Sequence, residues 1–281
     1  MERPQHHAAS YDRGQPQPRR DLLRLSRRIA LQALGRLRAP IETLARLSGT
    51  DKIGSHDFMA AYKRFFSKYR NRPITLLEIG VGGYSDLADG GQSLSLWEAY
   101  FRYGTIVAID VYDKRHLSHG RVHVHQCSQI DREGLQNIAD KYGGFDLIID
   151  DGSHMNQHQI ESFTILFPLL KEDGVYVVED TQTSYWPVFG GGSVGTPEHA
   201  KSATSFFRGL VDGLNHAEYL PDARVTLTPN HLWIRGLYFE HSFIAILKGD
   251  NSAKSNWPID RWAGKLARSV SVSPTPEMFQ D

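Results

Sequence analysis

Two pairs of adjacent acidic residues and one histidine are the side chains best placed to do chemistry. Asp150-Asp151 and Glu179-Asp180 each follow a short apolar run, and His154 comes three residues after Asp151. Mg²⁺ prefers carboxylate ligands, and carboxylates held close together repel one another unless a cation neutralises them. Imidazole titrates near neutral pH and suits a general base. The alternative is that the acids only end strands and cap helices, with one of 13 histidines nearby by chance.

A glycine turn and a distant carboxylate predict a nucleotide-type cofactor. Residues 78–83 (EIGVGG) follow an apolar run, and Asp110 ends the next run about thirty residues later. Glycines let the backbone approach a ligand, and a carboxylate in that position can accept hydrogen bonds from both hydroxyls of a ribose. Enzymes that use NAD and enzymes that use S-adenosylmethionine share this device. Ser128 and Gln129 follow a third run, where the adenine edge is expected.

Short apolar runs that alternate with helical patterns position these residues. The predicted strands span 74–79, 105–109, 121–126, 145–149 and 175–178, and the predicted helices about 56–70, 93–102, 131–142 and 154–170. This alternation predicts an α/β fold with a mostly parallel sheet and helices on both faces. Ligands bind at the carboxyl ends of such strands. The glycine turn, Asp110 and both acid pairs all fall at that edge.

Two later runs, 233–239 and 242–247, are close enough to form an antiparallel hairpin. A nicotinamide dehydrogenase would instead continue a parallel half-sheet at this point. The glycine turn also lacks the third glycine of the dinucleotide fingerprint GxGxxG. Both departures favour S-adenosylmethionine over NAD.

The first fifty residues differ in charge from the rest of the chain. They contain ten arginines, no lysine and four acids, a net charge of +6, in a chain whose total is zero over 281 residues. A neutral total argues against a nucleic-acid binder. Asp21 is predicted to cap an amphipathic helix over about 22–38, in which Leu22, Leu25 and Ile29 share a face. We expect that face to pack on the body of the protein or on a second subunit, with contact to an anionic partner or membrane surface as the alternative.

The segment 49–249 resembles the class I S-adenosylmethionine-dependent methyltransferases. More narrowly, it resembles the metal-dependent sugar O-methyltransferases of macrolide biosynthesis, the mycinamicin and demethylmacrocin type. The matching stretches are 49–52 (GTDK), 77–83 (LEIGVGG), 90–94 (GGQSL), 108–110 (AID), 150–154 (DDGSH) and 178–180 (VED), which leads to 185–187 (YWP). The glycine turn specifies only the superfamily, whereas the pairing of DDGSH with VED is much more specific.

The resemblance implies S-adenosylmethionine as methyl donor, a divalent cation (usually Mg²⁺) and a sugar hydroxyl as acceptor. In the class I sheet the two strands that carry the acid pairs are neighbours, so Asp151, Glu179 and Asp180 are predicted to hold the metal. His154 matches the histidine of the motif and is predicted to be the catalytic base. The residues predicted to bind the cofactor are Glu78, Gly80, Val81, Gly82, Asp110, Ser128, Gln129 and Asp150. Sugars stack on aromatic faces, so Tyr185 and Trp186 are predicted to face the acceptor.

Four segments are expected: a disordered basic tail (1–20), a helical segment (21–72), a Rossmann-like methyltransferase domain (73–249) and a C-terminal tail (250–281). The macrolide enzymes carry a larger N-terminal region than the roughly 70 residues before the first strand here. A glycoside, glycolipid or oligosaccharide is therefore as plausible an acceptor as a macrolide. A homo-oligomer is expected. The single cysteine and the absence of a signal sequence fit the cytoplasm.

Two other functions remain open. A metal-dependent enzyme of this fold can methylate a phenol or catechol, which would depend on bidentate metal binding more than on a base. A non-catalytic scaffold that keeps the cofactor fold would leave the acidic residues and His154 unexplained.

Overall fold

The computed structural model describes residues 18–86, 89–220 and 229–256. The chain divides into two compact units, residues 1–128 and 129–281. The disordered tail expected over residues 1–20 lies outside the described residues except for 18–20, which are helical. Most of the expected C-terminal tail, from residue 257 onward, also lies outside them. The four segment boundaries predicted from the sequence therefore stay a prediction.

The first unit contains three parallel strands, β1 (Thr75–Ile79), β2 (Thr105–Asp110) and β3 (Val122–Gln126). β2 lies between the other two, with Thr75 opposite Thr105 and Ile106 opposite Val122. Every residue of β1 is buried, as expected for a parallel strand covered on both faces. This parallel arrangement brings the end of β1 and Asp110 to the same edge of the sheet.

The described residues of the first unit form four α-helices: α1 (Pro18–Arg36), α2 (Ile41–Ser48), α3 (Met59–Phe66) and α4 (Gln92–Tyr100). α2, which the sequence did not predict, begins directly after Pro40, because proline suits the start of a helix and not its interior. α1 begins three residues before Asp21, so the predicted cap at Asp21 is wrong.

The leucine face of α1 does not pack on the described body of the protein, whereas its predicted contact with a second subunit stays a prediction. Leu22, Leu25 and Ile29 are 66%, 45% and 62% exposed, whereas Leu31 is fully buried. Gly35, four residues after Leu31, lies so close to α4 that an added Cβ would overlap the carbonyl oxygen of Ala99. Close approach of the two helices at this glycine turns α1 so that its leucine-rich stripe faces outward.

An aromatic cluster fills the space between α3 and α4. Tyr62 and Phe66 of α3 meet Trp97 of α4 at centroid distances of 4.9 and 5.7 Å, and Phe101 completes the group. All four side chains are fully buried. Burial of this much aromatic surface, about 150–250 Å² per side chain, fixes α4 directly after the glycine turn.

The second unit contains two parallel strands followed by an antiparallel pair. β4 (Phe145–Asp150) pairs in parallel with β5 (Leu170–Glu179), and β7 (Phe243–Lys248) pairs antiparallel with both β5 and β6 (Ile234–Glu240). The predicted C-terminal hairpin is therefore confirmed. β5 begins five residues earlier than predicted, because Lys171, Glu172 and Asp173 extend it through a polar stretch that periodicity does not reveal.

The helices of the second unit are α5 (Arg132–Tyr142), α6 (Asn156–Leu166), α7 (Pro197–Ala200) and α8 (Ala203–Leu214). α6 begins at Asn156, so His154 lies before the helix and not in it as predicted. Met155 occupies the N-cap position of α6. α8 was not predicted. Among the described residues, no helix has the length and apolar character needed to cross a bilayer.

Candidate active site

Three of the predicted catalytic and metal-binding residues lie together in the second unit. Asp151 follows β4, His154 precedes α6 and Asp180 follows β5. Each offers one ligand atom, and these atoms all lie within 4.8 Å of one another. All three side chains are half-buried. The parallel pairing of β4 with β5 produces this cluster, because it brings the ends of both strands to one edge.

His154 and Asp180 have a backbone conformation that is rare outside glycine. Their φ angles are 55° and 54°, in the left-handed region. A non-glycine residue in that region costs of the order of 1–3 kcal/mol, and such residues concentrate at functional sites. Asp180 comes directly after β5, and His154 lies in the short connection between β4 and α6. Helical or extended backbone would not direct both groups to the same point.

The two ring nitrogens of His154 have different surroundings. Its Nε2 lies 3.6 Å from Asp180 Oδ2, and its Nδ1 is buried with no hydrogen-bond partner among the described residues. Two hydrogen bonds hold Asp180 in place. Gln182 Nε2 donates to Asp180 Oδ1 at 3.1 Å, and Thr183 Oγ1 donates to the carbonyl oxygen of Asp180 at 2.9 Å. The imidazole nitrogen that faces the cluster is therefore Nε2.

Glu179 is the predicted metal ligand that the structure does not bring into this cluster. It is the last residue of β5, opposite Phe243 of β7, and its side chain is only 2% exposed. Its carbonyl oxygen accepts a hydrogen bond from Gln159 Nε2 at 3.1 Å. Glu179 is still part of the strand, whereas the left-handed backbone of Asp180 belongs to the turn that follows it.

Asp150 has a different environment from Asp151. Its carboxylate is completely buried, accepts from Gln129 Nε2 at 3.2 Å and from Ser162 Oγ, and lies 3.5 Å from the hydroxyl of Tyr176. Burial raises the pKa of Asp150 to about 6, against the opposing effects of the Ser162 hydrogen bond and His154. Both oxygens are engaged inside the second unit, which gives Asp150 a structural role beside the cofactor role predicted for it.

Gln129 links Asp150 to the loop that carries the cluster. While its Nε2 donates to Asp150, its Oε1 accepts from the backbone N–H of Ser153 at 2.9 Å. The side chain is 6% exposed. Gln129, predicted to lie at the adenine edge, is thus placed so that it fixes the backbone directly before His154.

The segment 181–189, which contains the two predicted acceptor-facing aromatics, is anchored by a residue that sequence reasoning missed. Asn156, 2% exposed, donates to the carbonyl oxygens of Thr183 and Phe189 at 3.1 and 3.0 Å. Its Oδ1 accepts from Ser184 Oγ and from the N–H of Ala203. Only the short distance from DDGSH in the sequence could have drawn attention to it.

The aromatic side chains of this segment are open to solvent. Tyr185 and Trp186 are 44% and 48% exposed. Tyr185 stacks on His199 at 5.3 Å, and Trp186 lies 6.1 Å from Phe189. A flat exposed aromatic face next to anchored backbone is available for stacking against a sugar.

The cofactor residues predicted in the first unit lie around the end of β1. Asp110 Oδ2 accepts from the backbone N–H of Val81 at 3.0 Å, and Asp110 Oδ1 accepts from the N–H of Tyr112 at 2.9 Å. Gly80 and Gly82 have φ angles of 89° and 77°, which no other residue type adopts easily. The carboxylate predicted to bind a ribose therefore also fixes the shape of the glycine turn. Ser128, half-buried, is the last residue of this unit.

Glu78 is fully buried at the end of β1 and forms an ion pair. Lys52 Nζ lies 3.4 Å from Glu78 Oε1, with both side chains at most 1% exposed, and Ser93 Oγ donates to Glu78 Oε2 at 3.0 Å. These contacts join the motifs GTDK and GGQSL to the glycine turn. A buried charge of this kind is tolerated because it is paired.

The donor set of the cluster fits a divalent cation. Two half-buried carboxylates and one imidazole converge, and without a cation the carboxylates repel each other. Carboxylates suit Mg²⁺, whereas the imidazole adds a ligand of the type preferred by transition metals. The geometry leaves two roles for His154: a base beside the metal, or a third ligand in the place predicted for Glu179.

Comparison with solved structures and with characterised proteins defines the class. The fold matches MycE methyltransferase from the mycinamycin biosynthetic pathway in complex with Mg and SAH, with a TM-score of 0.73 and 38% identity over 78% of this chain and 56% of that chain. A second MycE structure, which also contains mycinamycin VI, gives a TM-score of 0.72. The chain has the Rossmann-like fold of the class I S-adenosylmethionine-dependent methyltransferases, as predicted. No family model matches the sequence.

Characterised proteins that are similar to this chain in sequence are sugar O-methyltransferases of macrolide and polyketide glycosides. The chain is 41% identical over 225 residues to the 8-demethyl-8-alpha-L-rhamnosyl tetracenomycin-C 2'-O-methyltransferase of Streptomyces olivaceus. The match covers 80% of this chain and 59% of that protein. The chain is 38% identical over 222 residues to the mycinamicin VI 2''-O-methyltransferase of Micromonospora griseorubida, covering 79% and 55%. The chain thus spans somewhat more than half the length of these relatives.

Proposed function

We propose that this protein transfers a methyl group from S-adenosylmethionine to a hydroxyl group of a sugar, with a divalent cation, preferably Mg²⁺. The observation that carries the proposal is the convergence of Asp151, His154 and Asp180 at the ends of β4 and β5. The acceptor we propose is the sugar of a glycoside, such as a glycosylated polyketide, a glycolipid or an oligosaccharide. The names of the relatives support this class.

Each residue of the cluster has a distinct task in this proposal. When bound, the cation would lower the pKa of the sugar hydroxyl, and the cofactor would supply an electrophilic methyl group. Asp151 and Asp180 would hold the cation. His154 Nε2 would take the proton of the hydroxyl, because it faces the cluster while Nδ1 is buried. A poor nucleophile such as an aliphatic hydroxyl needs both aids at neutral pH.

The cofactor residues would act through backbone shape as well as direct contact. The glycine turn at 80–83 would approach the cofactor, and Asp110 would accept from the ribose hydroxyls while it holds Val81. Glu78, which is paired with Lys52, would lie towards the methionine end of the cofactor. Tyr185 and Trp186 would stack on the acceptor.

A transfer assay with labelled methyl donor tests the proposal. Rhamnosides and other deoxysugar glycosides are compared with catechols and simple phenols, each with Mg²⁺ and with EDTA. Metal-dependent methylation of a sugar hydroxyl is the expected result. Methylation of catechols alone would show that the acceptor is a phenol and not a sugar. Binding of S-adenosylhomocysteine without turnover on any acceptor would favour a non-catalytic scaffold.

We also propose that the protein is a cytoplasmic homo-oligomer in which the outer stripe of α1 is a contact surface. This outer stripe, formed by Leu22, Leu25 and Ile29, is 45–66% exposed on a helix rich in arginine, and Leu37, directly after the helix, is 78% exposed. A second copy would cover the leucines, whereas an anionic membrane surface would bind both leucines and arginines. The proposed cytoplasmic location rests on the cysteine content, because a chain with a single cysteine cannot form an intrachain disulfide.

A further inference from the structure

The loop between β1 and α4 is rich in glycine, so it loses much conformational entropy when it adopts a single shape. Its described part, residues 80–86 and 89–91, is called the glycine loop here. Five glycines of this loop have positive φ angles: Gly80, Gly82, Gly83, Gly90 and Gly91. Glycine loses more conformational freedom on ordering than any other residue. A loop of this composition needs strong contacts from outside if it is to keep one shape before a ligand arrives.

Lys114 supplies such contacts from a single buried atom. Its side chain is completely buried, and its Nζ donates to the carbonyl oxygens of Gly82, Asp86 and Asp89, the last two at 3.1 and 3.0 Å. An ammonium group has three N–H donors, so each is used on the glycine loop. Charge-assisted hydrogen bonds are about twice as strong as neutral ones.

Lys114 and Asp110 hold the loop from the same short segment. Asp110, at the end of β2, accepts from Val81 N–H, and Lys114, four residues later, donates to carbonyl oxygens further along the loop. Burial lowers the pKa of Lys114, whereas the carboxylates of Asp110, Asp89 and Asp86 favour its charged form. The glycine loop is thus held from one short segment by the carboxylate of Asp110, which accepts from a backbone N–H, and by the ammonium group of Lys114, which donates to carbonyl oxygens.

We propose that Lys114 is a positioning residue that orders the glycine loop in advance of cofactor binding. The inference rests on the proposed function, because it assumes that the cofactor binds at this loop. Without Lys114, the entropy lost on ordering the loop would be subtracted from the cofactor's binding free energy. Lys114 would therefore raise cofactor affinity without touching the cofactor, and it would leave the acceptor's KM unchanged.

The second unit contains a matched control. Lys248 is also buried, and its Nζ donates to the carbonyl oxygens of Phe167, Pro168 and Leu170 at 2.9, 3.0 and 2.6 Å. Burial lowers the pKa of this lysine as well. Two of these carbonyls belong to the connection between α6 and β5 and the third to Leu170, the first residue of β5; none belongs to the glycine loop. Lys248 therefore matches Lys114 in chemistry and burial but not in the backbone that it holds.

The test compares Lys114→Met with Lys248→Met in the full chain. We expect Lys114→Met to weaken binding of S-adenosylhomocysteine by about 10- to 100-fold, the loss of one or two charge-assisted hydrogen bonds. Lys248→Met should lower the melting temperature but leave that affinity within about twofold. Hydrogen exchange at residues 80–91 of the cofactor-free protein should rise in the Lys114 variant alone. If Lys114→Met does not fold, Lys114→Gln, which keeps some donor capacity, should give a smaller change in the same direction.

Two results would overturn the proposal. One is a folded Lys114 variant with wild-type affinity and wild-type exchange in the loop. The other is an equal loss of affinity in both lysine variants, which would mean that Lys114 acts only through general stability. If the wild-type protein does not bind S-adenosylhomocysteine at all, the proposed function fails, whereas the exchange measurement still tests the loop.

Discussion

His154 Nε2 lies 3.6 Å from Asp180 Oδ2, and both residues have a left-handed backbone conformation. The same carboxylate that would bind a cation therefore also faces the imidazole. A base in this position is oriented by Asp180 when the proton arrives, because an imidazolium is stabilised by an adjacent carboxylate. Changes at either residue should therefore affect metal binding and proton removal to different degrees.

The first prediction concerns the metal. EDTA should abolish methyl transfer, and Mg²⁺ should restore it. Asp180→Asn removes one anionic ligand with almost no change of shape, so it should raise the Mg²⁺ concentration needed for half-maximal rate and lower the maximal rate. Titration of the rate with Mg²⁺ measures both effects. S-adenosylhomocysteine should still bind without metal.

Asp140→Asn is the control for this charge change, since Asp140 is an exposed aspartate on α5. It should behave as wild type. Full activity of metal-stripped protein in EDTA would show that the cluster does not need a cation for turnover.

The second prediction separates the two roles open to His154. If His154 is the general base, the substitution His154→Ala should lower the rate by about 10²- to 10⁴-fold and leave Mg²⁺ affinity nearly unchanged. If the imidazole removes the proton, the wild type and the variant should also differ in how the rate depends on pH. If His154 is instead a third metal ligand, its loss should weaken Mg²⁺ binding.

Calorimetry with Mg²⁺ and rate profiles against pH distinguish these outcomes. His241→Ala, at an exposed histidine in the turn between β6 and β7, controls for the loss of an imidazole. Near-wild-type turnover of His154→Ala would assign proton removal to another group.

The third prediction concerns Asp110. Asp110→Ala should weaken S-adenosylhomocysteine binding by about 1.5–3 kcal/mol, the scale of losing charge-assisted hydrogen bonds. Part of this loss comes from the glycine turn, because the carboxylate also accepts from Val81 N–H. An analogue without ribose hydroxyls separates the two contributions. If Asp110 binds the ribose, the variant should discriminate less between the analogue and the natural ligand; equal discrimination would place the ribose elsewhere.

The fourth prediction concerns the outer stripe of α1. Deletion of residues 1–17 should leave fold and turnover intact, because this segment precedes the helix. Deletion of residues 1–40 also removes buried Leu31 and should lower stability. Substitution of Leu22, Leu25 and Ile29 by serine is therefore the cleaner test. It should keep the melting temperature and reduce self-association in sedimentation, or binding to anionic vesicles.

Ser26→Ala, on the same helix, is the control for this triple change. A triple variant that matches wild type in sedimentation, vesicle binding and kinetics would show that the stripe is not a contact surface.

The sequence determined most of the strands and the nature of the chemistry. Short apolar runs mark buried parallel strands, and residues placed directly after them must lie at the carboxyl edge, because a strand has only two ends. For this reason Asp110, Asp151 and Asp180 could be located without coordinates. The final hairpin was equally readable, since two apolar runs two residues apart leave no room for a crossover.

The tertiary structure decided which of these side chains meet. Whether Glu179 or His154 joins Asp151 and Asp180 depends on backbone angles at single residues, which no periodicity encodes. The outward rotation of α1 depends on the close approach of Gly35 to α4, and Asn156 gained its role only because the segment 181–189 folds back over it. Local pattern fixes an element and its ends, whereas contacts between residues distant in sequence depend on how completed elements pack, and that is settled by side-chain volume and hydrogen bonding across them.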